Sequence, residues 1–133
     1  MGPDILHKHM IVRAEVNQPL SDPEDVVHWL TKLVEKLDMK ILIGPFAEYC
    51  PKCGNEGATG IVVIETSHIA IHIWDACEPA ILQLDVYTCG ELHEEVVFEH
   101  LKVMKPTKIE WKYLDRMSKL EEVSTGVTSY DRD

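Results

Sequence analysis

The chain has 133 residues, 45% of them hydrophobic, and a formal net charge of −10, enough to bury one core but hardly two, so a single domain is expected. Its 13 basic residues are dispersed among 23 acidic ones, which argues against nucleic acid, whose phosphates need clustered Lys and Arg, and mildly favours a cationic small molecule. No apolar run approaches the roughly 20 residues that cross a bilayer, and MGPDILHKHM lacks the apolar stretch of a signal peptide, so a cytoplasmic protein with no membrane partner is expected.

Residues 1–9 read as a disordered start or an expression remnant. Met10 to Val16 is rich in β-formers and predicts a first strand. Ser21-Asp22-Pro23-Glu24 is a helix start, with Asp22 able to cap and Pro23 suited to the first helical position. Val26, Val27, Leu30, Leu33, Val34 and Leu37 then recur at helical spacing through about Met39. Lys40 to Gly44 predicts a short strand, and Pro45 to Thr59 a loop broken by prolines and glycines. Gly60 to Glu65 and His68 to Trp74 predict two more strands, separated only by Thr66 and Ser67.

Alternation in His68 to Trp74 is strict: Ile69, Ile71 and Ile73 point one way, and His68, Ala70, His72 and Trp74 the other. Ile81 to Cys89 repeats the division, with Leu82, Leu84 and Val86 opposite Gln83, Asp85, Tyr87 and Cys89. Glu91 to Met104 predicts a second helix ended by Pro106, and Ile109, Trp111 and Tyr113 a closing strand. Residues 10–114 thus form the domain, and 115–133 read as a polar, frayed tail. The expected fold class is α/β (α+β): a two-layer sandwich of a mainly antiparallel sheet with two helices on one face. The uncovered, half-apolar sheet face predicts a homodimer or higher homo-oligomer.

Ser67, with His68 and His72 nearby, has the residue types of a hydroxyl nucleophile with imidazoles to move protons, and equally those of a strand start beside a solvated face. Cys89 ends a strand beside Gly90, on the histidine side of the sheet. Cys50, Cys53, Cys77 and Cys89 read as thiols, because nothing marks the chain as secreted. Cys50-Pro51-Lys52-Cys53 resembles half of a zinc knuckle and needs two further ligands, from Cys77, Cys89, a histidine or a second protomer; a lone pair of this kind is a weak signal, so no metal is expected and Cys50 and Cys53 are only weak candidates. Phe46 and Tyr49 are positioned to stack on a ligand or to anchor their loop.

The stretch TGIVVIETSHIAIHIW followed by LDVYTCG resembles the prokaryotic S-adenosylmethionine decarboxylase family, whose pattern is roughly SGxxxxxESHxxIHTW and then LDxFTCG. The resemblance implies that Ser67 is the serine at which a proenzyme cuts itself, through attack on the Thr66 carbonyl and β-elimination, leaving a pyruvoyl group at position 67. It implies that His72 removes the α-proton in that elimination, that Thr59 supplies an assisting hydroxyl, and that Cys89 protonates the substrate after decarboxylation. The pyruvoyl carbonyl would condense with the substrate amine and take up the electrons released with CO₂, with no external cofactor. Decarboxylated S-adenosylmethionine for spermidine synthesis is the implied product, and the implied sites lie between protomers.

Three departures stand out. The family's Glu before the serine is Thr66 here, with Glu65 one place upstream, and a β-branched residue at the scissile bond is expected to slow the acyl shift. Trp74-Asp75-Ala76 replaces Trp-Pro-Glu, and the segment before Leu84-Asp85 is about two residues longer. With Phe46, Tyr49, Glu65 and Trp74 as substrate-contact candidates, the alternatives are a pyruvoyl decarboxylase of arginine or ornithine, or an unprocessed homologue binding a ligand, a partner or zinc.

Overall fold

The computed structural model describes residues 6–130. Seven antiparallel strands form one sheet in the order β2-β3-β4-β5-β1-β6-β7. They are β1 (Lys8–Val16), β2 (Ile41–Cys50), β3 (Gly57–Ile64), β4 (Ser67–Trp74), β5 (Ala80–Thr88), β6 (Pro106–Asp115) and β7 (Glu121–Ser129). Helices α1 (Pro23–Lys36) and α2 (Glu94–Leu101) lie on one face, giving the two-layer arrangement that the alternation predicts.

Helix α1 begins as its sequence dictates: the Asp22 carboxylate accepts from the Glu24 N–H at 2.9 Å and Pro23 takes the first turn. Its apolar stripe, Val26, Leu30, Leu33 and Val34, is buried against the sheet. From the sheet come Met10, Val12, Val62, Ile64, Ile69, Ile71, Leu82, Leu84 and Val86, all buried. Each such side chain contributes about 1.5–3 kcal/mol on burial. Gly60 permits the close approach of this layer, since a Cβ there would sit 2.7 Å from Val26 Cγ1 and 3.0 Å from Leu30 Cδ1. Helix α2 packs on β6 through an edge-on Phe98–Trp111 contact, and the segment leading into it is tied to β6 by the Tyr113 hydroxyl, which donates to the Leu92 carbonyl at 2.8 Å.

Several expectations need correction. The segment 45–59 is mostly strand, with a connection confined to 51–56. Pro45 lies where the register of β2 shifts, on a sheet edge where no ladder N–H is required of it, and Gly44 takes a φ of +91°. The second helix is shorter than expected, starting at Glu94 without a side-chain cap and passing into a 3₁₀ turn at Lys102–Met104. The tail expected from 115 contains β7, which pairs along β6 from Lys108–Ser129 to Asp115–Glu121. Gly126 makes this pairing compact, because a Cβ there would strike the Trp111 ring at 2.6 Å. Of the start expected to be disordered, Lys8 and His9 belong to β1, and residues 1–5 lie outside the described residues.

Candidate active site

The functional candidates fall into two clusters, and strand geometry separates them. Ile64 pairs with Ser67, so Glu65 and Thr66 alone form the turn between β3 and β4. Thr66 has a φ of +60°. Ser67 is only 6% exposed, and its Oγ donates to the Glu65 carbonyl at 3.2 Å. Thr66 Oγ1 donates to the same carbonyl at 2.7 Å and lies 2.6 Å from Cys89 Sγ, which in turn donates to that carbonyl at 3.3 Å. Two hydroxyls and a thiol therefore converge on one backbone oxygen beside the Thr66–Ser67 bond.

The second cluster is Thr59 and His72. They face each other directly across β3 and β4, with Thr59 Oγ1 and His72 Nδ1 3.1 Å apart, and His72 is exposed. Ser67 and His72 are five residues apart on one strand, or about 16 Å at roughly 3.3 Å per residue, and odd spacing sends them to opposite faces. Ser67 sits with the buried isoleucines, and His72 with His68 and Trp74 on the open face. One chain thus brings together Ser67, Thr66 and Cys89, and separately Thr59 and His72, but not the two groups.

The other candidates scatter. Phe46, 63% exposed, pairs with Ile61 on the open face, where Trp74 also lies, its indole N–H donating to Asn55 Oδ1 at 2.6 Å. Tyr49 pairs with buried Ala58 and so points to the helix side, donating to Asp75 Oδ1 at 3.0 Å. That bond holds its hydroxyl above the ordinary phenol range. The Glu65 side chain is exposed, and this residue meets the cluster through its carbonyl. Cys50 and Cys53 are free thiols, and among the described residues no group of three or more His, Cys, Asp or Glu is arranged to hold a metal ion.

Sequence reading missed a polar network on the open face near Cys89. His9 is hydrogen-bonded to Asp85, whose carboxyl it holds below the usual range. Arg116 reaches His9 Nδ1 at 3.3 Å and stacks over Tyr87 at 4.1 Å, and the Tyr87 hydroxyl hydrogen-bonds His7 Nδ1 at 2.7 Å. Alternation placed Asp85 and Tyr87 on this side, but the register against β1 that brings in His9 is a long-range property. Nearby, a groove of about 510 Å³ crosses the sheet between Ile11, Ala70, His72, Asp85, Lys112 and Val127.

A family model described as S-adenosylmethionine decarboxylase matches residues 8–117, which carry both clusters and all of the network except His7. The chain belongs to the S-adenosylmethionine decarboxylase family. It is 37% identical over 97 residues to the S-adenosylmethionine decarboxylase proenzyme of Persephonella marina, covering 70% of this chain and 67% of that one. To the S-adenosylmethionine decarboxylase proenzyme of Archaeoglobus fulgidus it is 31% identical over 116 residues, covering 84% and 98%. The fold is similar to that of the crystallised adenosylmethionine decarboxylase from Aquifex aeolicus VF5, with a TM-score of 0.68, 25% identity, and coverage of 92% and 99%. This S-adenosylmethionine decarboxylase family member carries β7 beyond the segment that the family model matches.

Proposed function

We propose that this chain is a self-processing, pyruvoyl-dependent decarboxylase of S-adenosylmethionine, and that each site joins Ser67, Thr66 and Cys89 of one protomer to Thr59 and His72 of a second copy. The observation that carries this reading is the segregation of the two clusters within a chain whose equipment is otherwise complete. A nucleophile and a proton acceptor about 16 Å apart along one strand act together only across an interface. The open sheet face, with Ile11, Ile61, Phe46 and Val127 exposed among polar groups, is the surface on which two copies would meet.

In the proenzyme, the Ser67 hydroxyl, hydrogen-bonded to the Glu65 carbonyl, attacks the Thr66 carbonyl carbon through a lone pair on Oγ. The new C–O bond forms as the Thr66–Ser67 C–N bond breaks, and the hydroxyl proton ends on the freed Ser67 nitrogen. His72 of the second copy, steered by Thr59, then takes the Ser67 α-proton, and the Cβ–Oγ bond breaks to release Thr66 as a carboxylate. Water adds and ammonia leaves to complete the pyruvoyl group.

That group, once formed, supplies the electron sink for decarboxylation. Cys89, beside the Ser67 end, holds the proton that the product carbon receives. The net charge of −10 favours the approach of a cationic sulfonium substrate. The test is an intact-mass spectrum under denaturing conditions together with a CO₂-release assay. Fragments 1–66 and 67–133, the latter without a free amine, with CO₂ from S-adenosylmethionine in preference to arginine or ornithine, are expected. One uncut chain that releases no CO₂ sinks the proposal.

A further inference from the structure

The conformation of Thr66 opposes the expectation that its β-branch slows cleavage. We infer that backbone strain stored at Thr66 drives the acyl shift at the Thr66–Ser67 bond, an inference that rests on the self-processing reading above.

Three observations converge. In the two-residue turn between Ile64 and Ser67, only the second central residue, Thr66, has positive φ, the sign pattern of a type II turn, where Gly or Asn belongs. Among the described residues five non-glycines have positive φ, namely Asp38, Thr66, Lys105, Lys119 and Leu120, and Thr66 alone is β-branched. A branched Cβ crowds the backbone most in that conformation.

The surroundings hold the turn in place. The Glu65 N–H donates to the Lys40 carbonyl at 3.1 Å, while its carbonyl accepts from Ser67 Oγ, Thr66 Oγ1 and Cys89 Sγ. On either side Ile64 and Ile69 are fully buried, which fixes the strand ends. Strain persists where the structure over-determines it, and here it sits on the residue whose carbonyl must be attacked.

Breaking the C–N bond removes the constraint. As the acyl group passes from Ser67 nitrogen to Ser67 Oγ, Thr66 is attached through an ester rather than through the planar amide that continues β4. Its φ is then free to relax. The shift, which otherwise exchanges a stable amide for a weaker ester, gains what the turn has stored.

Thr66→Gly and Thr66→Asn accept positive φ, whereas Thr66→Val keeps the branch and removes only the hydroxyl. Appearance of the 67–133 fragment is expected to be about five- to thirty-fold slower for Gly and Asn than for wild type, the equivalent of roughly 1–2 kcal/mol at 1.36 kcal/mol per tenfold. Val, which keeps the branch and so the strain, is expected to cleave faster than Gly and Asn even though it lacks the Thr66 hydroxyl. In the uncleavable Ser67→Ala background, Thr66→Asn should raise Tm by a few degrees. Equal or faster cleavage of the Gly and Asn variants with wild type cut normally, or no gain in Tm, overturns the inference alone. Absence of cleavage in wild type overturns the self-processing reading with it.

Discussion

Ser67→Ala and His72→Ala each lack one half of the proposed site, and co-expressing them distinguishes a shared site from one contained in a single chain. Ser67→Ala has no attacking oxygen, and removal of a proton-transfer group such as His72 costs about 10²–10⁴-fold, so on the timescale of purification neither variant alone is expected to cleave. In a two-fold dimer formed at random from equal amounts, about half of the dimers are mixed, and each holds one intact site and one doubly defective site. That intact site pairs Ser67 of the His72→Ala subunit with His72 of the Ser67→Ala subunit. About half of the His72→Ala chains, and none of the Ser67→Ala chains, are therefore expected to appear as fragments. Denaturing mass spectrometry counts both, because the two substitutions change fragment masses differently. Native mass spectrometry of the same sample establishes that mixed dimers formed. If mixed dimers are abundant and every chain remains intact, the approximately 16 Å separation along β4 has been misassigned to a cross-subunit site.

Cys89→Ala in fully cleaved enzyme is expected to lower CO₂ release by about 10²–10⁴-fold, read with carboxyl-labelled substrate; an unchanged rate removes Cys89 from the reaction. Gly57 has a φ of +154°, and a Cβ there would lie 1.6 Å from the Ile73 carbonyl oxygen, so Gly57→Ala should cost more than about 2 kcal/mol. A urea midpoint equal to wild type would contradict that packing. Burial holds the His100 imidazole below its ordinary value of 6.5, with Lys36 and His28 reinforcing the depression against its bond to the Trp29 carbonyl. Because the unfolded chain binds that proton more readily, the contribution is complete above pH 6.5 and is lost as pH falls toward the depressed folded value. His100→Gln should flatten Tm against pH in that window, and parallel profiles for variant and wild type would refute it.

Helix α1 was legible in the sequence because its signals are local: Asp22, Pro23 and an unbroken apolar stripe. The strands β4 and β5 were equally clear from period-two alternation. β7 escaped notice because Ser124, Gly126 and Thr128 face Trp111 and its neighbours with small groups rather than aliphatic ones, so the stretch carries no apolar alternation. β2 was obscured by Pro45, tolerated only because this strand lies at an edge, and edge position is a property of the finished sheet. Within the site, chain proximity suggested that Ser67 and His72 stand together. Pleat geometry keeps them apart, while Thr59, thirteen positions from His72 in sequence, meets it through the hairpin register.

The order of strands gives cleavage at Thr66 a topological outcome. The fragment ending there would own β1, β2 and β3, and the other fragment β4 through β7. Yet β1 lies between β5 and β6, and β3 lies against β4. The two pieces would be interlaced through three separate ladders, so they could not part without dismantling the sheet. A protein folded as one chain would become a two-chain assembly whose melting is hard to reverse after dilution, since the halves must find each other again. Maturation would thus make the fold dependent on its own history.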